Sequence, residues 1–185
     1  MNIILTDPIL DDFKDYHDLI SEGDWQKQFL NFRFQTIEQT KEEIRYWVEN
    51  RKSSFPSFLR MIKLTPFENI DIYDNTNSTL IGFISNMPAG MTDYSRSGFK
   101  MLINFGIGKK YEGKGIMTMA MKMTLERLYQ LEYNIVSAYV KPNNIGSENV
   151  LEKCGFDLVR DDIFGKTYVK ALKIDMEDYR DAFGL

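Results

Sequence analysis

Gly106-Ile107-Gly108-Lys109-Lys110-Tyr111-Glu112-Gly113-Lys114-Gly115-Ile116 organises the rest of the chain around it. Before it, Phe99 to Ile107 has the apolar, β-branched character of a strand. After it, Ile116 to Leu131 has the spacing of a helix. Glycines at such a junction let the backbone take positive φ and let a ligand come close to the main chain. The helix that follows starts with N–H groups lacking intrahelical partners, at the positive end of its dipole. Such a corner binds anions. Lys109, Lys110 and Lys114 add positive charge. A phosphate or pyrophosphate suits it; a tight strand-to-helix turn with no ligand is the simpler alternative.

Working outward, Asn134 to Val140 is a strand carrying Ile135, Val136 and Val140. Pro142 to Ile145 turns into a short helix that ends at Gly155. Phe156 to Val159 and Thr167 to Ile174 are two closing strands. Upstream, Ile3 to Leu5 is a short strand. Pro8 opens a helix over about Ile9 to Ser21, with Asp11 and Asp12 in its first turn, where carboxylates favour the dipole. Thr36 to Arg51 is a second helix, with Thr36 and Gln39 spaced as a capping box. Leu59 to Leu64 and Thr79 to Asn86 pair as a long-looped hairpin, and Asn86 to Gly98 is a loop. The order predicts one α/β (α+β) domain over residues 1–185 with a mixed sheet. Phe99 to Val140 should form a right-handed parallel crossover.

Composition narrows the function. The 185 residues suffice for one domain with a sizeable core, and 13 Phe and 10 Tyr argue against disorder. A net charge of -4 disfavours nucleic acid as a partner and suits a cationic substrate such as an amine. Cys154 is the single cysteine, so no internal disulfide can form. No apolar run approaches the ~18 residues that span a bilayer, and the N-terminus is too poor in apolar residues for a signal peptide. A soluble, cytoplasmic protein is expected, with no membrane partner; a homodimer is left open.

The identity of the phosphate ligand can be argued by elimination. Gly108 to Lys114 nearly spells a nucleotide-binding P-loop, but the position for the magnesium-holding Ser or Thr is Gly115. The strand Asn134 to Val140 has no Asp to complete a metal site. A dinucleotide fingerprint fails too, because its third glycine would fall on Tyr111.

Lys110-Tyr111-Glu112-Gly113-Lys114-Gly115 resembles the first acyl-CoA motif of the GNAT superfamily of N-acetyltransferases. Pro142-Asn143-Asn144-Ile145-Gly146-Ser147, leading into Val150-Leu151-Glu152-Lys153-Cys154-Gly155-Phe156, resembles the second half of that site. The Asn-x-x-Ser spacing and the Glu-Lys-Cys-Gly-Phe ending are most similar to the branch of ribosomal-protein N-terminal acetyltransferases (RimJ/RimL-like). The likeness is carried by residues from about Ile103 to Phe156.

The resemblance implies a single GNAT-like domain. Its central sheet would be mixed and mostly antiparallel, with a splayed parallel strand pair and helices on both faces. It implies acetyl-CoA as cosubstrate, no metal, and transfer of acetyl to a primary amine, with a protein N-terminal α-amine first and a small amine or antibiotic next. By position, the pantetheine arm would meet Phe105, Gly106 and Ile107, and the pyrophosphate would meet Glu112, Gly113, Lys114, Gly115 and Ile116. Lys110 takes the first motif position, where the family has Gln or Arg, and lacks their planar group. Asn144 would contact the pantetheine arm. Lys153 would reach a CoA phosphate, or is simply an exposed helix lysine. The family's usual Tyr proton donor aligns with Leu151, which cannot donate. The RimJ/RimL-like branch instead has a Ser at the place of Ser147, near the incoming thioester, which makes Ser147 the candidate proton donor; the alternative is that Ser147 caps the helix. No carboxylate lies between Phe99 and Lys110. A water chain, Glu22, Asp24 or Asp93 is left as the base. A non-catalytic CoA-binding domain and a P-loop-like nucleotide module are the rival classes.

Three further features have plain readings. Met117, Met119, Met121 and Met123 are expected to fill a core. His17, the one histidine, is expected to be solvated or locally bonded, and Cys154 to be a small core residue. The acidic run 175–178 is expected to be a solvated chain end.

Overall fold

In the computed structural model, which describes residues 2–22, 25, 35–50, 58–65, 78–88 and 100–173, seven strands make one sheet. They are β1 (Asn2–Thr6), β2 (Phe58–Thr65), β3 (Thr79–Pro88), β4 (Lys100–Ile107), β5 (Ile135–Val140), β6 (Asp157–Asp162) and β7 (Gly165–Ala171). Their spatial order is β1-β2-β3-β4-β5-β7-β6. Every neighbouring pair is antiparallel except β4 and β5. Four α-helices are present among the described residues: α1 (Phe13–Ser21), α2 (Ile37–Glu49), α3 (Ile116–Gln130) and α4 (Ile145–Lys153). No described helix is long and apolar enough to cross a membrane. The expected hairpin of β2 with β3 and the parallel pair around α3 are both present. Phe99 and Ile174, the outer ends of two expected strands, lie outside the described residues, as do the run 175–178 and most of the expected loop 86–98.

Local chemistry accounts for the helix starts. Thr36 and Gln39 form the capping box: the Gln39 N–H donates to Thr36 Oγ1 at 3.2 Å, and the Thr36 N–H donates to Gln39 Oε1 at 2.8 Å. The first helix departs from expectation. Leu10–Asp12 is a 3-10 turn, and the α-helix begins only at Phe13. Asp12 explains the change, since its Oδ2 accepts from the Ile9 N–H at 3.0 Å and ties the chain into a tighter turn. Its Oδ1 accepts from Lys63 Nζ at 2.6 Å, with both side chains buried, which anchors the turn to β2.

Two cores lie on opposite faces of the sheet. On one, α3 packs Ile116, Met117, Met121 and Leu128 against Ile103 and Val136, with Leu151 of α4 closing the layer. On the other, Tyr16, Leu19 and Ile20 of α1 and Ile44 of α2 pack with Trp25 against Met61 and Phe83. The methionine expectation holds for half the set. Met117 and Met121 are buried, but Met119 is 48% exposed and Met123 42%. Alternate residues of a helix sit about 200° apart, so the second pair faces water.

The parallel contact is short. β4 pairs with β3 from Met101 to Ile107, yet it meets β5 only at Lys100↔Ile135, Met101↔Val136 and Leu102↔Ser137. Beyond Ser137, β5 stays with β7, where Ala138, Tyr139 and Val140 face Tyr168, Thr167 and Lys166. The two strands therefore splay, and the β5-facing edge of residues 103–107 is left without a strand partner among the described residues.

Candidate active site

The glycine-rich corner is built as an open cradle. The Gly108 N–H donates to Ile81 O at 2.8 Å, which pins the end of β4 to β3. A 3-10 turn, Lys109–Tyr111, follows. Gly113 and Gly115 then take φ of +69° and +75°, and a Cβ built on either meets nothing within 4 Å. Their positive φ is what a side chain would resist, and the space above them is open. The α3 ladder starts with the Met119 N–H donating to Gly115 O at 3.0 Å. The N–H groups of Ile116, Met117 and Thr118 precede that ladder, and these three residues line a cavity of about 690 Å³.

A second helix start faces the same space. Asn144 is the N-cap of α4, and its Oδ1 accepts from the Ser147 N–H at 3.1 Å. Asn143 holds φ of +67°, a conformation Asn tolerates better than most residues. This turn brings Asn144 and Ser147 to the cavity wall. The cap is therefore Asn144, and Ser147 is the third residue of the helix rather than its cap. Two helix N-termini, those of α3 and α4, converge on one cavity, so their partial positive charges add where an anion would lie.

The cavity gathers most of the expected residues. Phe105, Gly106, Ile107, Glu112, Gly113, Gly115, Ile116, Asn144, Ser147 and Lys153 all line it. Lys110 and Lys114 do not. Their ammonium groups stand 5.1 and 5.6 Å from the Tyr111 ring centroid, and Lys114 Nζ donates to Lys110 O at 2.7 Å. Tyr111 itself lines the cavity, so these two charges flank it behind an aromatic ring. Lys153 is exposed and on the wall, which keeps both of its readings open. Leu151, at the expected tyrosine position, is fully buried. Glu22 is exposed and is not on the wall, whereas Asp24 and Asp93 lie outside the described residues.

Trp25 was not legible as a site residue. It belongs to the core on the α1 and α2 face, yet it lines the same cavity as the α3 start on the opposite face. The cavity wall therefore joins residues of both cores along residues 105–107 of β4. Gly106 makes room for Trp25: a Cβ there would sit 2.2 Å from Cζ3 and 2.7 Å from Cη2 of the indole. A glycine inside a strand is the one signal that marked a close approach at this point. Asn149 and Thr118 also line the cavity and carry no local signal.

Other polar residues are accounted for elsewhere. His17 Nδ1 lies 2.9 Å from Thr40 Oγ1, a contact from α1 to α2 rather than a local one. Cys154 is buried with its Sγ 3.6 Å from Thr118 O. Burial raises its thiol pKa, against the opposing pull of Lys122 and Lys170. Among the described residues no group of three His, Cys, Asp or Glu is placed to hold a metal ion.

Comparisons with known proteins agree with this geometry. The family model described as acetyltransferase (GNAT) domain matches residues 2–157. A probable N-acetyltransferase, YjcK of Bacillus subtilis strain 168, is 26% identical over 125 residues. That match takes in 66% of this chain and 66% of YjcK, so about two thirds of the relative's length is spanned. Among solved structures, RimL, the ribosomal L7/L12 alpha-N-protein acetyltransferase in complex with coenzyme A, superposes with a TM-score of 0.73 at 12% identity. The match covers 95% of this chain and 97% of RimL. The ribosomal-protein-S5-alanine acetyltransferase of Vibrio fischeri gives a TM-score of 0.70 at 17% identity, covering 94% of both chains. At such identities these two structures establish a common fold.

Proposed function

The chain belongs to the GNAT family of acetyl-CoA-dependent acetyltransferases, and we propose that it acetylates a protein N-terminal α-amine by direct attack on the thioester in a ternary complex. The observation that carries this reading is the course of the cavity. Its wall runs from the glycine cradle at the start of α3, along residues 105–107 of β4, to Trp25 of the core on the α1 and α2 face. A thioester lying along residues 103–107 is then placed between the glycine cradle and the α1 and α2 face, and the amine would approach it beside Trp25.

The residues present fit the diphosphate of coenzyme A. The cradle has room at Gly113 and Gly115, and the leading N–H groups of α3 point into it. The free edge of residues 103–107 offers backbone groups to the amides of a pantetheine arm laid along it. Asn144 holds the α4 start in place, with Ser147 on the wall.

Bond changes follow from this placement. The neutral amine nitrogen forms a bond to the acetyl carbonyl carbon, the carbon–sulfur bond breaks, and the amide and free CoA leave. Ser147 Oγ gives its proton to the departing thiolate and regains one from the amine side through water. The helix N-terminus of α4 lies beside this point and disfavours no developing negative charge.

The α-amine of a protein is preferred over a small amine on the ground of the second motif. The Asn144-x-x-Ser147 spacing and the Glu152-to-Phe156 ending are most similar to the ribosomal-protein branch. Free-thiol release from acetyl-CoA, measured with short peptides bearing free N-termini and with a panel of small amines, tests the reading. Peptides should be the better acceptors by kcat/KM. Turnover only with small amines would reject the protein-acceptor reading. CoA binding without thiol release from any acceptor would favour a non-catalytic domain, a reading to which the buried Leu151 lends weight.

A further inference from the structure

The cavity wall includes one side chain from the core on the α1 and α2 face, the indole of Trp25. Trp25 is 7% exposed, and its Nε1–H donates to Leu19 O at 2.9 Å. Its ring lies 5.9 Å from that of Phe83, which in turn meets Tyr16 edge-on at 5.6 Å. These contacts hold the side chain in one pose, because a buried aromatic with its polar atom bonded has little freedom left. The far edge of its six-membered ring, Cζ3 and Cη2, occupies the space in which a side chain at residue 106 would stand. Phe105, Gly106 and Ile107 form the adjoining wall.

We propose that Trp25 sets the length of the acyl group this protein accepts, closing the cavity just beyond an acetyl methyl. This rests on the placement of the thioester along residues 103–107. The diphosphate end is held at the Gly113–Ile116 corner, so the acyl end of the donor points along residues 105–107 toward Trp25. The wall there is the edge of Trp25 resting on Gly106. A butyryl chain carries two methylenes more than acetyl and runs into that edge. Well-packed surroundings do not absorb such additions freely. Trp25 is thus a specificity-determining residue, with no proton or electron transfer assigned to it.

The experiment compares equilibrium binding of CoA, acetyl-CoA, propionyl-CoA and butyryl-CoA to the wild-type protein, Trp25→Phe and Trp25→Ala. In the wild type, butyryl-CoA should bind more weakly than acetyl-CoA. In Trp25→Ala that preference should shrink by about tenfold or more, the order of discrimination one or two methylenes bring in an apolar pocket. Trp25→Phe should fall between, while CoA affinity stays near that of the wild type. An unchanged acetyl-to-butyryl ratio in both variants, with CoA still bound, would overturn the role of Trp25 and leave the site itself standing. Failure of the wild type to bind CoA at all would remove the site and this inference together.

A second readout does not depend on the alanine variant folding. The chain has two tryptophans, and Trp47 packs outside the cavity. In Trp47→Phe protein, Trp25 is the sole indole. Acetyl-CoA and propionyl-CoA should change its emission more than CoA does. Equal changes with all three would count against contact between the acyl group and the indole.

Discussion

Gly113→Asp probes the cradle where strain and charge can be separated. A Cβ at Gly113 meets nothing within 4 Å, so a β-carbon there clashes with no part of the protein. Its φ of +69° makes any side chain strained, at a cost of roughly 1–2 kcal/mol, with Asp at the lower end. A chain of this size should lose roughly 2–6 °C in Tm from that strain. The effect on ligand binding is larger. At about 4 Å, one like-charge pair costs ~1 kcal/mol in a water-like medium and ~4 kcal/mol at an effective dielectric near 20. A diphosphate carries two such charges, which brings the cost to about 2–8 kcal/mol. Even the lower figure weakens CoA binding by roughly 30-fold.

Titration calorimetry with CoA gives the affinity, and circular dichroism confirms that the variant is folded. Gly113→Ala carries the strain without the charge and should bind CoA far better than the aspartate variant. Added salt should narrow the difference between them, because the opposing charges are screened. Folded Gly113→Asp protein with a CoA Kd within threefold of wild type would refute the placement of the diphosphate at this corner.

Ser147→Ala should lower kcat by roughly 10²-fold or more while CoA affinity holds, the scale of a lost general acid; equal losses in both would make Ser147 a binding residue only. Lys63→Met strands the buried Asp12 carboxylate and should cost about 3–5 kcal/mol, a fall in Tm of roughly 6–20 °C. A melting curve within 2 °C of wild type would refute that account, and Asp12→Leu combined with Lys63→Met should recover most of the loss. Cys154 has its thiol pKa raised, chiefly by burial. The stability tied to this proton is whole below the usual thiol pKa of about 8.5 and declines as pH rises above it. Folded protein should therefore react with a thiol reagent more slowly at pH 8 than unfolded protein, and equal rates would mean the thiol is accessible.

The glycine-rich corner was readable because its signals are local. Positive φ at Gly113 and Gly115, an exposed helix start, and the Asn144 turn are properties of a few consecutive residues, and the chain shows them in its spelling. Element boundaries followed for the same reason, and they shifted where a side chain competed with the backbone, as Asp12 does at the start of α1. Ser147 was assigned to the right wall, but its rival role as a cap needed the fold to decide, since Asn144 and Ser147 are both good caps and only one can hold the position. Lys110 and Lys114 showed their charge but not their direction, because long flexible side chains settle on whatever surface the fold supplies, here the ring of Tyr111.

What the chain spells out by itself is a nest of main-chain donors between one strand and one helix, and the neighbouring motif that faces it. Tertiary structure alone decided that β4 and β5 part after three pairs, that two helix ends share one cavity, and that Trp25 of the opposite core lines it too. The division has a physical cause. Backbone conformation is set by neighbours in sequence, whereas a gap in a sheet and the far residue that lines the cavity depend on packing between segments some 80 residues apart, such as Trp25 and Gly106.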